Sequence, residues 1–307
     1  MVYSNSIAKI SMNIWDHLLT GRGETRYMHR GPNSNATGDI VPKIKKESQD
    51  TFITIDKHKY NVPYGDLWGY YKNGYYYYLD CTGLIRRILT DVNPLLLRPF
   101  IELSPLIDIE KGVVRKYPRA KTFYTLFTEN VNYKYNTTIR QKIKDLRNQL
   151  IEMGWIFFLP NRDFSNLKSG DIMVKNLKLR KNTGHMGIFI SRGTDIGGKY
   201  INVIESSSSN RKISNLNILI KEYNKNVPQY KITRCDFTDV KINSIKELRR
   251  RLVLHNNTDS LYNTELSNHF NIHQIRGISA LLATNGGIRL SKWRWGTVKK
   301  YIIGRVS

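Results

Sequence analysis

An α+β fold, with helices set ahead of an antiparallel sheet, is what the sequence predicts, and three observations predict it. Two stretches ahead of Trp155 keep apolar residues at helical spacing, and the period then changes to that of strands. In addition, no repeat of about 20 to 50 residues recurs to suggest a solenoid or propeller. With 307 residues, 40% hydrophobic and 24% charged, the chain has enough apolar matter for a sizeable core and is too apolar to be disordered throughout. No apolar run approaches the roughly 18 to 20 residues of a membrane-spanning helix.

Taken in order, residues 1–50 are expected to form an N-terminal arm or loop region, because 21–50 are rich in Gly, Asn, Ser, Pro and charge. The opening MVYSNSIAKISMNIWDHLLTG is interrupted by Ser6, Lys9, Ser11, Asn13 and Asp16 and lacks the apolar stretch of a secretory signal. A cytoplasmic location, or export by a non-classical route, is therefore expected. From Cys81, residues Leu84, Ile85, Ile88 and Leu89 share one helical face, and Asn93-Pro94 ends the helix. A second helix is expected over Thr138 to Met153, with Ile139, Ile143, Leu146 and Leu150 inward and Gly154 as its stop. Strands then follow: DIMV (Asp171 to Val174), HMGIFIS (His185 to Ser191), YINVIES (Tyr200 to Ser206) and KKYIIGRV (Lys299 to Val306).

The chemistry-bearing residues gather in three places. In YYYYLDCTGLIRRIL the thiol of Cys81 stands at a helix start, where unpaired N–H groups and the positive end of the dipole stabilise a thiolate. In NTGHMGIFIS, His185 opens a strand between Gly184 and Gly187, whose small size permits close approach of another backbone or of substrate. In VIESSSS, Glu205 ends a strand that pairs most simply with the His185 strand through a turn at Gly193 to Lys199. On a shared face, its carboxylate accepts one imidazole proton and aims the other ring nitrogen at the sulfur.

DCTGLI followed by GDIMV, GHMGIFI and VIESS resembles the NlpC/P60 family of papain-like cysteine peptidases, with Thr82 where Ser is usual and Met186 where Val is usual. The resemblance covers roughly Tyr60 to Thr90 and Leu167 to Ser209. It implies a papain-like core whose nucleophile helix packs on an antiparallel β-sheet. In it Cys81 attacks an amide carbonyl, His185 serves as general base and then general acid, and a third polar residue orients His185. Glu205 fits that third slot, although the family more often has His, Asn or Gln there. Tyr78 matches the family's tyrosine upstream of the nucleophile, and Asp80 and Gly184 join it on the substrate side. The catalytic domain is then 51–307, with a helical insertion at about 91–165 and a C-terminal extension at 210–307. No cofactor or metal is implied. The usual substrate is the peptide stem of bacterial peptidoglycan, which makes the protein a murein endopeptidase or amidase and allows an exported effector.

Other residues carry weaker signals. Lys plus Arg number 49 against 25 Asp plus Glu, a net charge of +24, which suits an anionic cell-wall polymer and gives nonspecific binding of polyanions. The same charge fits a noncatalytic binding protein for nucleic acid or anionic lipid, and the same Cys-His chemistry also serves protein side chains or lipid acyl groups as substrates. His269 and His273 (HFNIH) have helical metal-pair spacing without a third ligand. The tail RLSKWRWGTVKKYIIGRV reads as a last strand with solvated Arg and Lys, or as a basic Trp-containing surface that stacks bases or sugars. Cys235, in the strand-like YKITRCDFTD, reads as a structural thiol that leaves Cys81 unbridged.

Overall fold

A computed structural model describes residues 2–27, 50–55, 58–63, 66–71, 74–107, 117–128, 135–175, 184–257, 263–284 and 286–307. The chain begins with α1 (Val2–Leu19), β1 (Gly23–Arg26), β2 (Asp50–Ile55), β3 (His58–Pro63), β4 (Asp66–Tyr71) and β5 (Gly74–Leu79). It continues through α2 (Cys81–Val92), α3 (Arg98–Leu103), α4 (Ala120–Thr128) and α5 (Thr137–Glu152) to β6 (Trp155–Phe158), β7 (Ile172–Lys175), β8 (His185–Asp195) and β9 (Gly198–Ser207). Five helices follow: α6 (Leu216–Asn226), α7 (Arg234–Asp239), α8 (Ile245–Asn257), α9 (Asn263–His269) and α10 (Ile272–Leu282). The last elements are β10 (Gly287–Trp293), α11 (Trp295–Val298) and β11 (Ile302–Val306). The α+β class holds, with helices packed on a largely antiparallel sheet.

The elements fall into two compact units. One comprises Met1–Asn13, Cys81–Glu205 and Leu290–Ser307, and the other Ile14–Asp80 and Ser206–Arg289. The first contains nearly all of a six-stranded sheet in the order β10-β9-β8-β7-β11-β6. Its strands run antiparallel from β9 through β8, β7 and β11 to β6. The helix predicted from Thr138 starts at Thr137. Asn136 caps it by accepting the Ile139 N–H at 2.9 Å, and Ile139, Ile143, Leu146 and Leu150 are buried as their spacing demands. On α2, Leu84, Ile85, Ile88 and Leu89 are wholly buried and the helix packs against β8. An aromatic cluster joins α3, α4 and β6, with Phe100 and Phe123 stacked at 4.1 Å and Trp155 edge-on to Phe100 at 5.8 Å.

The Gly-Asp turn ahead of β7 is a structural joint. Asp171 has no exposed surface, and both its carboxylate oxygens accept from Arg305 of β11, at 2.7 and 2.8 Å. It also accepts the Lys168 N–H at 2.8 Å. Arg305 is thus a partly buried ion-pair partner and not one of the solvated cations expected of the tail. Ser4 of α1 donates to the Val306 carbonyl at 2.5 Å, so the chain's first helix is tied to its last strand.

In the second unit β1 pairs parallel to β5, β4 pairs antiparallel to β5, and β2 and β3 form a separate two-stranded ladder. Leu219, Tyr223, Phe237, Phe270, Ile278 and Leu281 from α6, α7, α10 and the turn before it are buried.

Four expectations change. Within residues 1–50, 2–19 form a helix whose Ile7, Ile14, Trp15, Leu18 and Leu19 are buried, and 23–26 form a strand, while 28–49 lie outside the described residues. Within 91–165 the described residues form α3, α4 and α5, and the stretch also contains β6, an edge strand of the main sheet. Residues 210–307 are not one extension: they contain the helices α6 to α10, whereas β10 and β11 complete the sheet on both sides of β9-β8-β7. Cys235 lies on α7 and is exposed, which removes both its strand and its structural role; Thr233 and Asp236 form the capping box that starts this helix.

Candidate active site

Cys81 is the first residue of α2, is 7% exposed and is a free thiol. The register of β8 on β9, Ile188 opposite Ile204, sets Gly187 opposite Glu205 and leaves His185 two positions away on the same face. From there Nε2 of His185 meets Oε2 of Glu205 in a short hydrogen bond. Cys81 is the other group that acts on the imidazole, and like Glu205 it favours the protonated ring. Glu205 is 3% exposed, so its carboxylate is a buried acceptor matched to a cationic ring.

Burial works to push the His185 imidazole down, but the hydrogen bonds from Cys81 and Glu205 and their negative charges outweigh it and raise it from 6.5 to about 9. The sign of the linkage follows. Stability that the imidazolium contributes is complete below the unfolded value of 6.5 and is lost as pH rises through about 9. The difference in Tm between the parent and His185→Gln is expected to be largest near pH 6 and to narrow above pH 9. A difference that stays constant from pH 6 to 10 would contradict the charged ring.

The tail that looked solvated or nucleotide-binding supplies the walls of this site. The Trp293 ring lies 5.9 Å from His185 and 4.7 Å from Tyr301, and both Trp293 and Tyr301 are buried in a core cluster with Phe164, Leu167, Met173, Phe189, Val203 and Ile303. Burial first, and then the charges of Glu205 and Cys81, hold the Tyr301 hydroxyl well above its usual range, so it stays a neutral phenol. Sequence reasoning missed both residues. No local pattern marks them, because the contact that places Trp293 is with His185 of β8, more than a hundred residues earlier.

Gly187 admits the Trp293 ring. A Cβ placed there would lie 2.5 Å from Cγ1 of Val203 and 3.2 Å from Cη2 of Trp293. Gly187→Ala is expected to cost about 1 to 3 kcal/mol by overpacking. Urea denaturation checks it, and a parent-like midpoint would show that the wall is loose.

Gly184, expected on the substrate side, has φ +98° and sits against the chain: an added Cβ would be 2.2 Å from the Lys175 carbonyl and 3.1 Å from Cβ of Ala120. Asp80 is buried directly ahead of α2. Tyr78 lies on β5, but its side chain is outside the described residues. Nearby in sequence, Tyr77 is buried and its hydroxyl lies 3.2 Å from Nδ1 of His17. Ser206, next to Glu205, donates to the Leu79 carbonyl at 2.6 Å, which fixes the strand end two residues ahead of Cys81.

The other motifs do not assemble. His269 ends α9 and His273 lies on α10, so a helix break separates them, and the His273 ring stacks on Tyr230 at 5.3 Å. Among the described residues no cluster of three or more His, Cys, Asp and Glu is arranged to hold a metal, and no helix is long and apolar enough to cross a membrane. The chain matches no family profile, no curated protein and no solved structure.

Proposed function

We propose that the protein is a cysteine hydrolase of papain-like, NlpC/P60 type that cleaves amide bonds in the peptide stems of peptidoglycan. One observation carries the reading: a single imidazole joins a thiol at a helix start to a buried carboxylate. With Cys81 as thiolate and His185 as imidazolium, the sulfur attacks the amide carbon and an S–C bond forms as the carbonyl oxygen takes the negative charge. When the tetrahedral adduct collapses, the C–N bond breaks and His185 gives its proton to the departing amine. The neutral imidazole then takes a proton from water, whose oxygen attacks the thioester carbon. The carboxylic acid product leaves and the sulfur retakes its charge. Glu205 holds the ring on line and stabilises it while it is cationic.

The net charge of +24 supports an anionic polymer as the carrier of the scissile peptide, since such a field gathers polyanions at long range. Mass spectrometry of purified muropeptides after incubation with the parent and with Cys81→Ala is the test. Amine and acid fragments are expected from the parent alone. Identical spectra from both would remove the murein hydrolase reading.

A further inference from the structure

Lys175 is the last residue of β7, and the ladder places it directly opposite His185 on β8. Directly opposed residues share a face and hold their Cβ atoms about 4.5 to 5.5 Å apart. Its ammonium rests over the Tyr301 ring, with Nζ 5.1 Å from the ring centre, so the side chain is held beside the site wall. Among the described residues it forms no ion pair within 4.0 Å. The carboxylate of Glu205, on β9 beyond the His185 strand, bonds to His185. Lys300 adds a second cation within electrostatic reach.

We propose that Lys175 is a specificity-determining residue that receives a substrate carboxylate next to Cys81, so that the site selects acidic peptides with a free carboxylate beside the scissile amide. The inference rests on the hydrolase reading of the same site and names what that hydrolase prefers. A half-buried ammonium that has lost part of its hydration gains most from a charged partner that fits beside it. Burial and Lys300 push Lys175 down while Glu205 and Cys81 hold it up, in keeping with a cation waiting beside negative groups already committed to catalysis. Lysine suits the task as a compact point charge on a flexible stem.

The experiment uses the full chain and two readouts. In the first, iodoacetate and iodoacetamide compete for the thiols, and mass spectrometry measures carboxymethyl against carbamidomethyl at Cys81; in either reaction sulfur bonds to the CH2 and iodide leaves. Cys235, exposed on α7, is the internal reference. Relative to Cys235, Cys81 of the parent is expected to favour iodoacetate by about ten-fold more than Cys81 of Lys175→Met, the scale of a partly screened charge pair, and Lys175→Arg is expected to keep most of the preference. In the second, paired peptides that differ as free carboxylate and amide beside the scissile bond are hydrolysed. The parent is expected to prefer the acid, and Lys175→Met to lose that preference through KM with kcat nearly kept.

An unchanged reagent ratio in Lys175→Met overturns the proposal. So does a folded parent whose Cys81 reacts with neither reagent, because such a site admits no small carboxylate. Equal slowing of acid and amide peptides by Lys175→Met also overturns it, since the lysine would then act on the reacting centre. If no peptide is cleaved while the alkylation preference follows Lys175, the hydrolase reading fails and the carboxylate receptor stands.

Discussion

Cys81→Ala is expected to reduce amide hydrolysis to the uncatalysed background, and His185→Ala nearly as far, because the two act as a unit and either loss removes the whole nucleophile. Glu205→Gln is expected to be milder. In the Ser-His-Asp case, the corresponding loss of the carboxylate lowers turnover by about 10⁴. A cysteine is intrinsically more nucleophilic than a serine and asks less of the third member, so a loss on the order of 10 to 10³ is expected for Glu205→Gln. Gln is nearly isosteric and still accepts a hydrogen bond from His185, so the fold is expected to survive. The check is kcat/KM on the muropeptide that the parent cleaves, with circular dichroism to confirm folding. Full activity in Glu205→Gln, beside a dead Cys81→Ala, would assign the orienting role to another residue.

The second large effect is on stability. Arg305→Met removes the partner of a carboxylate with no exposed surface, and stripping one member from a buried pair costs about 3 to 5 kcal/mol at neutral pH. Burial already pushes the Asp171 carboxyl above its usual range, against the pull of Arg305 and of the Lys168 N–H. Without Arg305 the Lys168 N–H and the Lys168 charge are left to oppose that push, so the carboxyl takes up a proton more readily and the lone charge disappears as pH falls. The sign is therefore set: the deficit of Arg305→Met is expected to be largest at pH 7 to 8 and to shrink towards pH 4. Urea midpoints across that range measure it. A deficit that grows on acidification would mean that Asp171 is not the group exposed by the change.

The helices with a full apolar stripe, α2 and α5, were legible because each buries one face, and β7 and β8 were legible because their apolar runs are bounded by turn residues. The juxtaposition of His185 and Glu205 followed from that alternation, since a hairpin of adjacent strands has few registers that bury both faces. Three things escaped. In α1 the buried Ile7, Ile14 and Leu18 do keep a helical period, but the Gly- and Asn-rich stretch after it drew the whole region into an arm. In α7 the alternation of YKITRCDF imitates a strand, while the decisive feature is local: a Thr with Asp three residues on, each satisfying the other's backbone N–H. The ion pair of Asp171 with Arg305 and the Trp293 wall depend on contacts more than a hundred residues apart, which no window along the sequence contains.

β11 has a consequence in time. It fills the slot between β7 and β6, so a ribosome delivers Cys81, His185 and Glu205 well before it makes the strand that closes the sheet beside them. Until then β7 and β6 have open edges facing each other, and the buried Asp171 has no counter-ion. A chain interrupted between Glu205 and Trp293 would hold Cys81, His185 and Glu205 without the wall and joint that organise them. Under the proposed chemistry, competence would wait until β11 has been made, and a product stopped short of it would be held silent by its own topology.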